Sequence, residues 1–272
     1  TLDFSTLSLG STINLVGGAS GTLSYIGSSV IKYDGGEEYT GLIIGIYYEN
    51  SIENVNAGSG NDIITCNSSA NVINCGSGID IVNSVASGDT INGNDGNDGF
   101  NVTHNGFTLI DGGAGTDTLY LYHGYSANSS GTYSGYIDLR TYTDAQLTNI
   151  EYIDITYDNV ATALILTKTS INDLEGTLVD VDGDGDDDNI VYITASSNDT
   201  ITVFPNQGWV YVTDNGTWKF YTIPDVTANA QTYFAVNSSA GSIVYVFASG
   251  SPGQMESAGN TNPVDITPIV ID

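Results

Sequence analysis

From Ala57 the chain divides into nine-residue units, and no other feature limits its fold as strongly. The units read AGSGNDIIT (57–65), CNSSANVIN (66–74), CGSGIDIVN (75–83), SVASGDTIN (84–92), GNDGNDGFN (93–101) and VTHNGFTLI (102–110). After a one-residue slip at Asp111 comes GGAGTDTLY (112–120). The eighth place is always bulky and apolar: Ile64, Ile73, Val82, Ile91, Phe100, Leu109 and Leu119. The sixth holds Asp62, Asn71, Asp80, Asp89, Asp98, Phe107 and Asp117. One apolar side chain per unit predicts one core-facing residue per short strand. No single unit can bury it, so the units must stack.

The rest of the chain is equally poor in helix signals. Thr, Val, Ile and Tyr run in short stretches between Gly, Asn, Asp and Ser, as in Thr12–Val16, Gly41–Tyr48, Ala163–Thr167, Trp209–Thr213 and Ser242–Phe247. The expected fold class is all-β. Asp and Glu number 32 against 4 Lys and Arg, a net charge of −28, while 40% of residues are hydrophobic. That apolar content can offset chain entropy, which excludes a disordered acidic tail. Four cations cannot neutralise a nucleic-acid backbone, and an anionic membrane surface would repel the chain. No apolar run approaches the ~20 residues of a membrane-spanning helix.

Glycine permits the φ > 0 turns that bring backbone carbonyls together. Those carbonyls and an Asp carboxylate would converge on one point, which suits a hard cation with six to eight oxygen ligands. The units at 57, 75, 93 and 112 fit well to G-G-x-G-x-D-x-U-x, the pattern of calcium-binding β-helix repeats, and those between fit it loosely. On these residues the chain resembles the RTX (repeats-in-toxin) family. The resemblance implies a parallel β-roll, two repeats per coil, and calcium between successive turns on the same edge. The flanks carry a looser likeness. Tyr48–Asn56 is similar to the lead-in of serralysin-type C-terminal regions, and Leu147–Thr156, with Trp209, is similar to segments of large RTX adhesins.

In such a roll one edge carries Asp62, Asp80, Asp98 and Asp117, and the other Asn71, Asp89 and Phe107. The first edge is expected to bind two or three calcium ions and the second, through Asp89, one at most. The plainer reading is that these carboxylates cap turns. A second candidate site lies at 180–188, where Asp180, Asp182, Asp184 and Gly185 match positions 1, 3, 5 and 6 of an EF-hand loop. Asp188 fits position 9, but Val191 stands where a bidentate Glu belongs, so a shortened extracellular-type loop is expected. A solvated charge run is the alternative.

Cys66 and Cys75 open consecutive units and so fall on opposite edges, which favours buried free thiols over a disulfide. Thr65, Asn74, Asn83, Asn92 and Asn101 form an outward row. It is expected to be a self-satisfied amide ladder, with an ice-binding face as the remoter reading. A serralysin-type protease would need H-E-x-x-H, and the only histidines are His104 and His123. No catalytic role is expected.

The expected organisation is a β lead-in over 1–56, the calcium roll over 57–121 and continuing solenoid strands over 122–170. A more antiparallel β domain with the acidic loop follows over 171–250, then a linker and terminal strand over 251–272. Val264–Ile271 is expected to add to a neighbouring subunit's sheet edge or to pair back within the chain. The function expected is that of a secreted, extracellular, non-enzymatic protein of the bacterial cell surface. It would fold on binding Ca2+ as a surface-layer (S-layer) or filament subunit or an adhesin module. Its partner would be itself or a cell-surface glycan. The RTX resemblance implies type I secretion. The alternative is the accessory region of a secreted hydrolase or polysaccharide-modifying enzyme.

Overall fold

The structure is a computed structural model. It describes residues 1–15, 24–26, 43–44, 52–104, 106–121, 136–143, 145–156, 162–179, 187–196, 199–203, 210–214, 217–222, 232–237, 242–245 and 269–270. These residues form β-strands almost throughout, with one short helix, Lys168–Asn172. No helix among them is long and apolar enough to cross a membrane. The chain forms two compact units, Thr1–Tyr122 with Asp144–Ile150, and His123–Thr143 with Glu151–Asp272.

In the first unit the nine-residue units alternate between two parallel sheets. One sheet runs Leu2–Asp3, Asn54–Asn56, Val72–Ser77, Thr90–Asp95, Leu109–Asp111 and Leu147–Thr148. The other runs Ser11–Asn14, Ile63–Thr65, Ile81–Val85, Gly99–Val102 and Thr118–Leu121. Two antiparallel strands, Ser24–Ile26 and Ile43–Ile44, close the second sheet at its front. Like residues stack on like: Ile64 pairs with Val82, and Ile73 with Ile91. Residues 57–121 are thus the regular part of a longer stack. Thr1–Leu15 supplies a coil ahead of it, with Ile13 and Leu15 buried.

Each strand buries two side chains. Besides the eighth place, the first place of the following unit also points inward, because side chains two apart share a face. Ala57, Cys66, Cys75, Val102 and Leu121 are buried there. At the unit beginning with Ser84 a bulge intervenes. Ser84 takes φ 61, the register shifts, and Val85 fills the inward place.

The extra residue sits before the strand at 109–111, not after it at Asp111. Ile110, not Leu109, pairs with Ile91, and Asp111 pairs with Asn92. Ile110 is fully buried and Leu109 only half-buried. The turn absorbs the insertion by sharing an acceptor, since the N–H groups of Thr108 and Leu109 both donate to the Asp89 carbonyl, at 2.7 and 3.2 Å.

The second unit is a mixed β-structure. Tyr136–Asp138, Ala163–Leu166, Thr200–Val203 and Ser242–Tyr245 pair in parallel. So do Tyr152–Asp154, Asp188–Thr194 and Thr232–Asn237. The coils are longer than in the roll, with Tyr152 opposite Tyr192 and Tyr192 opposite Ala235. The antiparallel character expected over 171–250 comes from Thr177–Val179, Val210–Asp214 and Trp218–Thr222. Ile190, Phe220, Tyr233 and Ala235 pack into one apolar cluster flanked by Tyr192 and Trp218. Of the terminal apolar segment, Ile269–Val270 pairs back, antiparallel, onto Ser242–Tyr245.

The register of the insertion is open to test. Ile110→Ala should cost about 2–5 kcal/mol in chemical denaturation, the usual range for truncating a buried aliphatic side chain. Leu109→Ala should cost about 1 kcal/mol or less. Equal losses at the two positions would contradict the observed register.

Candidate metal centre

A column of buried side chains runs down one edge of the roll. Asp62, Asp80, Asp98 and Asp117 are all at most 2% exposed. Each carboxylate reaches back to the preceding coil. The Ser11 N–H donates to Asp62 Oδ1. The Asp62 N–H donates to Asp80 Oδ1 at 2.6 Å, Asp80 to Asp98 at 2.8 Å, and Asp98 to Asp117 at 2.7 Å. Every rung thus joins consecutive coils by a hydrogen bond between an ionisable acceptor and a peptide donor, which is stronger than a neutral one.

The second oxygens divide the column. Asp62 Oδ2 accepts the Gly58 N–H at 3.3 Å. Asp80 Oδ2 and Asp98 Oδ2 are buried and have no hydrogen-bond partner. A buried carboxylate oxygen without a donor is costly, and a cation beside it removes the cost.

Backbone shape sets this arrangement. Gly78 and Gly96, the fourth residues of their turns, take φ 131 and φ 142. A Cβ on Gly96 would run into the Gly78 carbonyl, so the turns nest only with glycine there. One on Gly93 would lie 2.6 Å from Asp98 Oδ2. Cys75 occupies the corresponding place in the coil before. It is buried and free, and its thiol is held well above the usual range by burial and then by the charges of Asp80 and Asp98.

Burial raises the carboxyl of Asp80 from the ordinary value of about 3.9 to about 7. The Asp62 N–H opposes the shift, while the charges of Asp98 and Asp62 add to it. Asp62 and Asp98 are also raised by burial, against the hydrogen bonds they accept.

On the opposite edge the protein supplies the donors itself. Asp89 is buried, and its Oδ1 accepts the Asn71 N–H and its Oδ2 the Ala86 N–H, each at 2.8 Å. The Cys66 thiol also hydrogen-bonds to Asp89. Burial, then the Asp89 charge, pushes that thiol up, and Cys66 is free. Asn71 Oδ1 accepts the Asn67 N–H at 3.0 Å. Phe107 is a buried apolar side chain. Here turn capping accounts for the acidic residue.

The outward amide row is self-satisfied. Asn74 donates to Asn56 at 2.8 Å, Asn92 to Asn74 at 2.9 Å, and Asn101 to Asn83 at 2.7 Å.

Of the acidic loop, Asp180, Asp182 and Asp184 lie outside the described residues. Asp188 is buried and opens a strand, opposite Val179 of the antiparallel neighbour. The acidic run therefore spans the connection of a hairpin. His104 is exposed and contacts Thr103, and His123 lies outside the described residues.

One carboxylate of the same design was missed by the nine-residue reading. Asp199 is buried in the second unit, where its Oδ1 accepts the Thr162 N–H at 2.9 Å and its Oδ2 the Ser196 N–H at 2.6 Å. Asp199-Thr-Ile-Thr repeats Asp89-Thr-Ile-Asn, and that echo was the available signal.

Among the described residues no three His, Cys, Asp or Glu side chains converge on one point. The groups this edge would offer a cation are the free carboxylate oxygens of Asp80 and Asp98. Oxygen donors of this kind are those a hard cation takes. No protein-family model matches the chain, and no curated protein matches it.

The raised carboxyl of Asp80 sets a pH dependence. Between about pH 4 and 7 the folded roll holds a proton that the unfolded chain has released, so stability falls as pH rises through this window and levels off above it. In chelator, circular dichroism should show more β-structure at pH 5 than at pH 7.5. A flat or rising profile would contradict the unpartnered state of Asp80.

Proposed function

We propose that this chain is an extracellular, calcium-dependent, non-enzymatic structural protein of RTX type at the bacterial surface. It would be secreted by a type I route and would act by folding and self-assembling on Ca2+. One observation carries the reading: Asp80 and Asp98 each keep a buried carboxylate oxygen without a donor, inside a column of four stacked carboxylates. The same residue type is fully supplied with N–H donors at Asp89 and Asp199. What sets the first edge apart is a deficit of positive charge rather than of turn capping.

Calcium would supply that charge. Asp80 and Asp98 are the residues to hold it, with Asp62 and Asp117 as the flanking rungs and the Asp180, Asp182, Asp184 and Asp188 loop as a separate site. Binding to the folded chain alone becomes folding free energy. Where calcium is scarce the carboxylates repel one another and keep the roll open. Where it is abundant the coils close. Chemistry on a substrate plays no part in this reading. The role is mechanical, as a subunit of a surface layer or filament or as a module of an adhesin.

The test is a calcium titration of chelator-treated protein, followed by circular dichroism and light scattering. β-Structure should form as calcium rises to millimolar levels, and scattering should then rise if the protein assembles. No folding change in that range would overturn the reading. Asp80→Asn and Asp98→Asn refine it, because Asn keeps the Oδ1 acceptor and loses the charge. Each variant should be more stable than the parent in chelator and should gain less from calcium. Loss of stability under both conditions would mark these residues as turn caps only.

A further inference from the structure

A stack of parallel strands ends in one whose outer N–H and C=O groups need a partner. In the second unit that last strand is Ser242–Tyr245, and Ile269–Val270 covers it, with Ser242 opposite Val270 and Ile243 opposite Ile269. The neighbouring antiparallel partners are joined through short connections. Val210–Asp214 reaches Trp218–Thr222 through 215–217, and Thr177–Val179 reaches Asp188–Thr194 through 180–187. Ile269–Val270 instead follows residues 246–268, whose middle holds Gly250, Pro252, Gly253, Gly259 and Pro263. At 23 residues this connection is longer than either of those hairpin connections.

The pairing seen lies within one chain, and the same backbone hydrogen bonds would form if a second copy supplied the strand. We propose that Ile269–Val270 is a donor strand exchanged between copies. In the monomer it closes its own stack, and in an assembly it closes the stack of the next copy. The same hydrogen bonds form in both cases, so the balance depends on protein concentration against the effective concentration of the tether, on the order of 1 mM. Donation in one direction propagates head to tail, whereas reciprocal donation between two copies closes a two-fold dimer. This inference rests on the reading of the chain as a self-assembling structural protein, and it names the element that joins the copies.

Cross-linking separates the two pairings. Ser242→Cys and Val270→Cys place thiols on directly opposed residues, while Cys66 and Cys75 are buried. The two single variants are mixed at concentrations from well below to above ~1 mM, oxidised without unfolding, alkylated and run on a non-reducing denaturing gel. The mixture should give a covalent heterodimer that neither variant gives alone. The double variant should give covalent dimers or longer oligomers whose share rises with concentration. A mixture that stays uncross-linked at every concentration overturns the proposal, whether or not the double variant closes within single chains. Calcium-induced folding is followed in the same samples. Folding without cross-linking in the mixture removes the donor strand alone, whereas cross-linking without a calcium response removes the calcium reading and leaves the strand exchange standing.

Discussion

The structure depends on one interaction, a buried carboxylate accepting the backbone N–H of the coil before it. Asp62, Asp80, Asp98 and Asp117 make it on one edge, Asp89 on the other, and Asp199 in the second unit. A short strand of three to six residues holds its neighbour weakly, and the turn between strands leaves peptide donors facing inward. A carboxylate placed in the turn satisfies those donors and fixes the stacking register in one step. Apolar packing at Ile64, Val82 and Phe100 then fills the space between the sheets.

The contrast between the edges shows how one residue type serves two ends. Asp89 meets two N–H groups and a thiol, which oppose the burial that raises its carboxyl. Asp80 meets one N–H and faces Asp98 and Asp62 in the same column, and its carboxyl rises to about 7. The difference follows from the turn. Where Gly78 and Gly96 let successive turns nest closely, Asp80 and Asp98 each turn one oxygen to the neighbouring coil and leave the other unanswered. The chain's large acidic excess is thus partly an inward feature of the roll rather than a property of its surface alone.

Much of this was legible in the residues. The nine-residue spacing led to parallel coils, and the sixth place marked the carboxylates. Other features were hidden for definite reasons. The coil Thr1–Leu15 has no acidic turn, because Ser11 stands at the column position, and only Thr12-Ile-Asn, echoing Thr90-Ile-Asn, hinted at it. Leu109 and Ile110 are both apolar, so periodicity alone could not say which faces the core. The parallel pairing of Ala163–Leu166, Thr200–Val203 and Ser242–Tyr245 spans long and unequal coils, which leave no short period to read. Ionic state was the least visible property, since Asp80 and Asp89 look alike until their donors are located.

Because every carboxylate points back toward the coil that precedes it, the column has a direction. Its first member is Ser11, a residue with a donor to give and no acid to place. A coil stripped from the front would strand a carboxylate, whereas one stripped from the rear would strand only an amide, the less costly loss. Duplications and deletions of whole coils are therefore not equivalent at the two ends. In a lineage built from such units, coils are added or lost with less penalty at the end that exposes an amide than at the end that exposes a carboxylate.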